Sequence, residues 1–308
     1  MGEYRYHVDG ALVPADEATV SVRDRGFRYG DAAVETVRAY GGTLLAWEDH
    51  AERLRRTCDR IALDPPPADD LRGRVEATLA ANDLADASLR LSVTRGADDG
   101  GIVPRTASAP TVVVTVRDLP RGGVEGPPPW EGPATLQTVK TRRVPPESIP
   151  SDAKTHNRLD AVLAALELRW SDADEAVMRD ADGHVAGGTT SNLFFVADEG
   201  LYTPGFDGPV LPGVTRSIVI DLAESEGIPV HEGANTPSDL RDADEVFLTS
   251  TTREVRPVGT VDGIDVDGGP VTPLLAGLYD RYVEDRCYRD GGADGSGSAG
   301  GVDGTTDE

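Results

Sequence analysis

Residues 154–167 read KTHNRLDAVLAALE, and two signals meet in that stretch. Leu159, Val162, Leu163 and Leu166 recur at helical spacing and predict a helix over about 157–169 with this stripe as its buried face. Lys154 stands at its head, and lysine is rare here: Lys140 and Lys154 are lysines, and the other 28 of the 30 basic residues are arginines. Lysine condenses with carbonyl compounds, whereas an arginine, permanently protonated, does not. A lysine kept in such a chain is a candidate for amine chemistry. Rarity alone leaves Lys140 on an equal footing, since both could be leftovers; only Lys154 leads into a helix.

Two stretches further along offer places for an anion. In LPGVTRS, residues 211–217, Gly213 admits a tight entry and the amides of Val214 and Thr215 open a helix predicted over about 214–226. An ordinary Pro-Gly turn before a helix has the same appearance. Ser250, Thr251 and Thr252 end the strand-like EVFLT with hydroxyls that suit a phosphate oxygen or, equally, cap a turn. Toward the N-terminus, Asp9-Gly10 predicts a hairpin turn. Helices are predicted at about 48–62, with Ala51, Leu54, Cys58 and Ile61 as one stripe, and at about 68–82. LRLSVTR, PTVVVTV, TLQTVKTRR, EAVMRD, SNLFFVAD and DEVFLTS read as strands, and a last helix is expected at about 273–287. The Pro/Gly-rich RDLPRGGVEGPPPWEGP marks a boundary, giving an N-terminal domain over 1–117, a linker over 118–132 and a C-terminal domain over 133–289. Residues 290–308, nearly all Gly, Ser, Asp and Thr, are expected to be disordered.

With 54 acidic against 30 basic residues the formal charge is -24, so the basic footprint of a nucleic-acid binder is missing. No run approaches the roughly 18 apolar residues of a membrane span, and neither membrane nor nucleic acid is an expected partner. MGEYRYHVDG has neither the basic nor the apolar segment of a signal peptide, so the cytoplasm is the expected location. Abundant carboxylates with almost no lysine fit a salt-rich interior, where screening reduces self-repulsion; a GC-rich genome would replace lysine in the same way. Cys58 and Cys287 are read as reduced, and no histidine pair at ligand spacing predicts a metal.

Taken in order, DRGFRYGDAAVET, EDHAERL, KTHNRLDAVLAALE, VAGGTTSNLFFV, LPGVTR and LTSTTRE resemble the class IV, fold-type IV, pyridoxal-phosphate enzymes over about residues 3–288. That family includes branched-chain and D-amino-acid aminotransferases and aminodeoxychorismate lyases. The resemblance implies a two-domain α+β fold, a small N-terminal domain beside a barrel-like one, a homodimer, and pyridoxal 5'-phosphate in the cleft. It implies that Lys154 binds the cofactor covalently and moves the Cα proton. Arg53, the amides of Val214 and Thr215 and the hydroxyl of Thr251 would hold the phosphate. Asn192 and Asn157 would stand near the site and His50 would support Arg53. Val34, Arg95 and Arg158 are the candidate substrate-pocket residues.

Two positions depart from the pattern. Gly187 stands where relatives carry the glutamate that partners the ring nitrogen, and Val34 where many carry Phe or Tyr. VTRGADDGGI, with Asp98, Asp99 and Gly100, lacks the carboxylate trap of D-amino-acid enzymes. Arg158 resembles the lyases, while Glu35 fits either subtype. The expected activity leans to aminodeoxychorismate lysis, with a branched-chain-type aminotransferase as a near-equal and a non-catalytic or weakly active cofactor-binding homologue as the rival that Gly187 and Val34 favour. A hydrolase built on the Thr-Thr-Ser run lacks the G-x-S-x-G turn and a base.

Overall fold

Asp9 and Gly10 both take positive φ, 48° and 93°, which matches the twist of the hairpin they close between β1 (Arg5–Val8) and β2 (Ala11–Pro14). The computed structural model describes residues 4–104, 109–121, 126–197 and 200–288, so the tail expected over 290–308 lies outside the described residues. After the hairpin come α1 (Arg25–Tyr29), β3 (Ala32–Tyr40), β4 (Thr43–Leu44), α2 (Trp47–Arg60), α3 (Ala68–Ala80), β5 (Ala87–Thr94) and β6 (Thr111–Asp118). The six strands form one antiparallel sheet in the order β2-β1-β6-β5-β3-β4. Helices α2 and α3 cover one face of it: Leu54 and Cys58 of α2, with Leu71, Val75 and Leu79 of α3, share a core with Val37, Leu89, Val114 and Val116. Ala51 and Ile61 complete the α2 stripe as partly buried neighbours.

The second half contributes β7 (Ala134–Arg142), α4 (Leu159–Glu167), β8 (Glu175–Arg179), β9 (Val185–Gly187), β10 (Asn192–Ala197), β11 (Gly200–Pro204), α5 (Val214–Ser225), β12 (Val230–Gly233), α6 (Pro237–Arg241), β13 (Glu245–Ser250), β14 (Glu254–Val261), β15 (Ile264–Asp265) and α7 (Val271–Val283). Its sheet runs β12-β11-β10-β13-β14-β7-β8-β9, with β15 on the side of β14. The β11·β12, β14·β7 and β7·β8 pairs are parallel and the others antiparallel. Strand β9 comes back against β10 and β11, so the sheet curls into a half-barrel. Val214, Ile218 and Val219 of α5 and Leu275, Leu278 and Tyr279 of α7 bury Phe194 and Phe247, whose rings stack at 5.0 Å. Among the described residues no helix is long and apolar enough to cross a membrane.

Helix α4 corrects the reading of its sequence. Leu159, Val162, Leu163 and Leu166 are 65%, 51%, 47% and 41% exposed, whereas Ala161 and Ala164 face inward. Ala164 packs with Val139, Ala176 and Met178. The helix lies close on β7 and β8, and only its alanine side is small enough for that approach. The large side chains stay exposed, Leu159, Leu163 and Leu166 on the outer face and Val162 at the rim of the cavity described below.

The two halves meet where residues 154–156 add to the start of β3. The Val34 amide donates to the Lys154 carbonyl at 2.9 Å, the His156 amide to the Ala32 carbonyl at 3.1 Å, and Ala33 bridges Thr155. This contact brings Lys154 to the cleft between the sheets.

Candidate active site

The cleft contains a cavity of about 910 Å³, and Lys154 lines it while Lys140 does not. Lys140 is exposed on β7, its amide tied to Glu167. Besides the β3 contact, the Lys154 amide donates to Thr57 Oγ1 at 3.0 Å, which fixes the backbone of the lysine from α2 as well. Burial, opposed by the Glu35 carboxylate and reinforced by Arg53, Arg158 and Arg90, lowers its pKa to about 7 from the usual lysine range. A sizeable fraction of free amine therefore exists near neutral pH. His156, two residues on, sits with Nε2 at 3.0 Å from Ser92 Oγ; burial, together with Arg90 and Lys154, lowers its pKa to about 4, so it is neutral.

Arg53 projects from α2 with its guanidinium gripped from behind. Its Nε and Nη2 donate to the two oxygens of Glu35 at 2.8 and 2.7 Å, and Nη1 donates to the Pro212 carbonyl at 2.8 Å. His50 lies one turn earlier, with Nδ1 2.8 Å from Glu35. Burial works against a charged Glu35, but Arg53 and the His50 hydrogen bond outweigh it and hold the carboxyl well below the usual range. The bond to Pro212 ties Arg53 to the entry of α5. There Gly213 is needed sterically, because a Cβ would fall 2.0 Å from Asn192 Oδ1. The close approach leaves Val214 and Thr215, the first residues of α5, on the cavity wall. Asn192 holds this entry from β10, its side-chain amide donating to the Leu211 carbonyl at 3.0 Å.

Across from α5, Ser250, Thr251 and Thr252 line the cavity at the end of β13. Their tight turn is followed by Glu254 at φ 55°, and Arg38 spans the Thr252 and Leu119 carbonyls at 3.5 and 2.9 Å. Thr249 Oγ1 is buried on the wall with no hydrogen-bond partner among the described residues.

The third wall is the turn after β9. Gly187 has φ 110°, and a Cβ there would lie 3.0 Å from the Ser191 carbonyl oxygen, so the conformation itself selects glycine. Arg143 donates to the Gly188 carbonyl at 3.0 Å and Arg158 to the Thr189 carbonyl, which anchors the turn. Burial, with Arg143 adding to it, lowers the Arg158 pKa to about 10.

The structure thus gathers Lys154, Arg53, Asn192, Val214, Thr215, Thr251 and Arg158 around one cavity. It leaves out two expected pocket residues. Arg95 is consumed by Asp31, at 2.8 Å, and by the Ile61 and Ala62 carbonyls that end α2. Val34 is buried beside the Lys154 backbone and is not among the lining residues; Thr36, two positions on, takes the wall. Asn157 is exposed outside the cavity. Sequence reasoning missed Arg90, which points from β5 into the cavity with no ion-pair or hydrogen-bond partner among the described residues, and Glu175, buried behind the Gly187 turn. A charged residue within an otherwise buried strand was the available signal for Arg90.

Residues 32–261 match the family model described as amino-transferase class IV. The chain belongs to this family. A Methanocaldococcus jannaschii protein provisionally named a branched-chain-amino-acid aminotransferase is 35% identical over 283 residues, 92% of this chain and 96% of that one. A D-alanine aminotransferase of Listeria monocytogenes is 33% identical, covering 90% and 94%. Among solved structures, a branched-chain aminotransferase of Thermoproteus uzoniensis with norvaline superposes with a TM-score of 0.85 at 30% identity, covering 94% and 97%. The branched-chain amino acid aminotransferase of Thermobaculum terrenum, solved in its pyridoxal-phosphate form, gives 0.81 at 25% identity, covering 93% and 96%. The curled half-barrel beside a smaller α+β unit is the fold of these class IV enzymes.

Proposed function

We propose that the protein is a pyridoxal-phosphate-dependent aminotransferase acting on the amino group of an amino acid, with Lys154 as its covalent anchor and proton carrier. One observation carries the reading: a lysine amine with a pKa of about 7 opens into a cavity shared by a helix entry and a hydroxyl turn suited to phosphate. The residues fit the cofactor. The Gly213 cradle excludes a side chain, the α5 entry and Thr251 offer amides and hydroxyls, Arg53 adds a positive charge, and Thr249 Oγ1 is a buried group awaiting a partner. When bound, pyridoxal phosphate supplies an electron sink for the pair left at Cα of a substrate. Near pH 7 the Lys154 amine takes up and returns a proton with little driving-force penalty either way. Arg90, uncommitted on the opposite sheet, is the group best placed to bind a substrate carboxylate, and neutral His156 adds no competing charge.

The relatives named above are aminotransferases, and this supports transamination over the lyase chemistry that Arg158 suggested. Arg158 is explained without a special substrate, since it anchors the Thr189 carbonyl. Borohydride reduction of the purified protein in molar salt, followed by peptide mapping, should label Lys154. The holoenzyme should convert branched-chain amino acids with a keto-acid acceptor in preference to releasing 4-aminobenzoate from aminodeoxychorismate. A label at Lys140 would refute the assignment of the lysine, and release of 4-aminobenzoate as the dominant activity would restore the lyase reading. We also propose a homodimer, supported by the apolar outer face of α4.

A further inference from the structure

Every charged side chain lining the cavity, among the described residues, is a cation. Arg53, Arg90, Arg117, Arg143, Arg158 and Arg253 join Lys154 there, and no aspartate or glutamate does. In a chain with 54 acidic and 30 basic residues, this segregation runs against the composition. The carboxylates just behind the wall are already engaged. Glu175 accepts from the Thr189 amide at 2.9 Å and from the hydroxyls of Thr189, Thr190 and Ser191 at 2.5, 3.3 and 3.2 Å, and Arg253 lies 3.8 Å away. Glu35 is held by Arg53 and His50, and Asp160 lies 3.5 Å from Arg143. Gly187 adds no side chain, and its backbone conformation resists one.

We infer that pyridoxal phosphate bound in this cavity would keep its ring nitrogen without a proton, because the lining side chains offer hydrogen-bond donors and no carboxylate. The inference rests on the cofactor reading above. A protonated ring adds a positive charge to a wall on which Arg90 and Arg158 have no ion-pair partner among the described residues, and like charges disfavour the charged form of a base. A carboxylate partner is what keeps such a nitrogen protonated, and this wall presents none. An unprotonated nitrogen is instead an acceptor. Arg143 and Arg158 line the cavity at the Gly187 turn, and a guanidinium carries donors and no acceptor, so side chains of the matching kind are present on this wall. The hydroxyls of Thr189, Thr190 and Ser191 stand between Glu175 and the cavity they line, and Arg253 beside Glu175 offsets its charge.

The test is solid-state nitrogen NMR of the complete holoenzyme, in molar potassium chloride, loaded with pyridoxal phosphate labelled with ¹⁵N in the ring. The expected signal is that of an uncharged pyridine, unchanged from mildly acid to alkaline pH. A pyridinium-type shift at neutral pH overturns the inference while leaving the cofactor assignment intact. Label that washes out on dialysis overturns the cofactor assignment, and the inference with it.

Discussion

The surroundings of Lys154 set the acidity of its amine. Burial and three neighbouring arginines bring the amine to a pKa of about 7, and the folded protein bears that cost at the one lysine that lines the cavity. Below this value the amine is protonated and unreactive toward an aldehyde; above it the amine is free. The rate at which cofactor-free protein captures pyridoxal phosphate should therefore rise with pH through about 7 and then level off, whereas an ordinary lysine would keep gaining to about 10. A stopped-flow pH series that still climbs in strong alkali would contradict the assignment. Gly187 yields a prediction of the opposite kind. On sequence grounds, Gly187→Glu should restore the missing carboxylate and raise turnover. With φ at 110° and the Ser191 oxygen 3.0 Å from a new Cβ, the variant should instead lose stability, by about 1–3 kcal/mol on the usual scale of such strain. Urea unfolding of the two proteins at equal salt decides the matter, and an unshifted midpoint would show that the turn relaxes freely.

At the scale of elements, α4 separates helical periodicity from burial. Its four large apolar residues form the predicted stripe, but the stripe faces outward because the opposite alanine side is the one that fits against β7 and β8. Burying a Leu side chain is worth roughly 1.5–3 kcal/mol, so Leu159, Leu163 and Leu166 left outside suit a second copy of the chain. Leu163→Glu should leave the fold intact, since the side chain is already 47% exposed, and should shift the protein from dimer to monomer in sedimentation velocity. A wild-type protein that sediments as a monomer would remove the proposal. Strand β3 teaches the complementary lesson. AAVETVRAY does not alternate, because one face meets α2 and the other the cleft, and the buried Glu35 and Arg38 are paired charges.

Across the whole molecule, charge is divided by location. A formal charge of -24 is carried by the chain as a whole while the described cavity wall is cationic, so repulsion falls on the surface and attraction on anions entering the cleft. Raising potassium chloride from low to molar concentration should raise the thermal unfolding midpoint by screening the surface carboxylates. A midpoint indifferent to salt would leave genomic bias as the account of the missing lysines.

The amino-acid sequence by itself named the candidate residues for the chemistry. Lys154 was legible through its rarity and motif, and the α5 entry, Thr251 and Arg53 through motifs whose local geometry is set by a glycine, a strand end or a helix turn. The hairpin at Asp9-Gly10, helices α2, α3 and α5 and most strands follow from local periodicity and turn chemistry, which short-range sterics control. Tertiary structure alone decided which of these residues face one another. It placed Arg95 on the end of α2, although its motif suggested the pocket, and it brought Arg90 to the cavity from a strand that carried no motif. It turned the α4 stripe outward, because helical spacing identifies a face without saying which neighbour will fit it. It also showed that Gly187 is held by its own backbone geometry and that the wall around it carries arginines without a carboxylate. A side chain's charge is written in the chain; the charges it meets depend on segments far apart in sequence, and the energy of their meeting depends on burial that only the folded molecule creates.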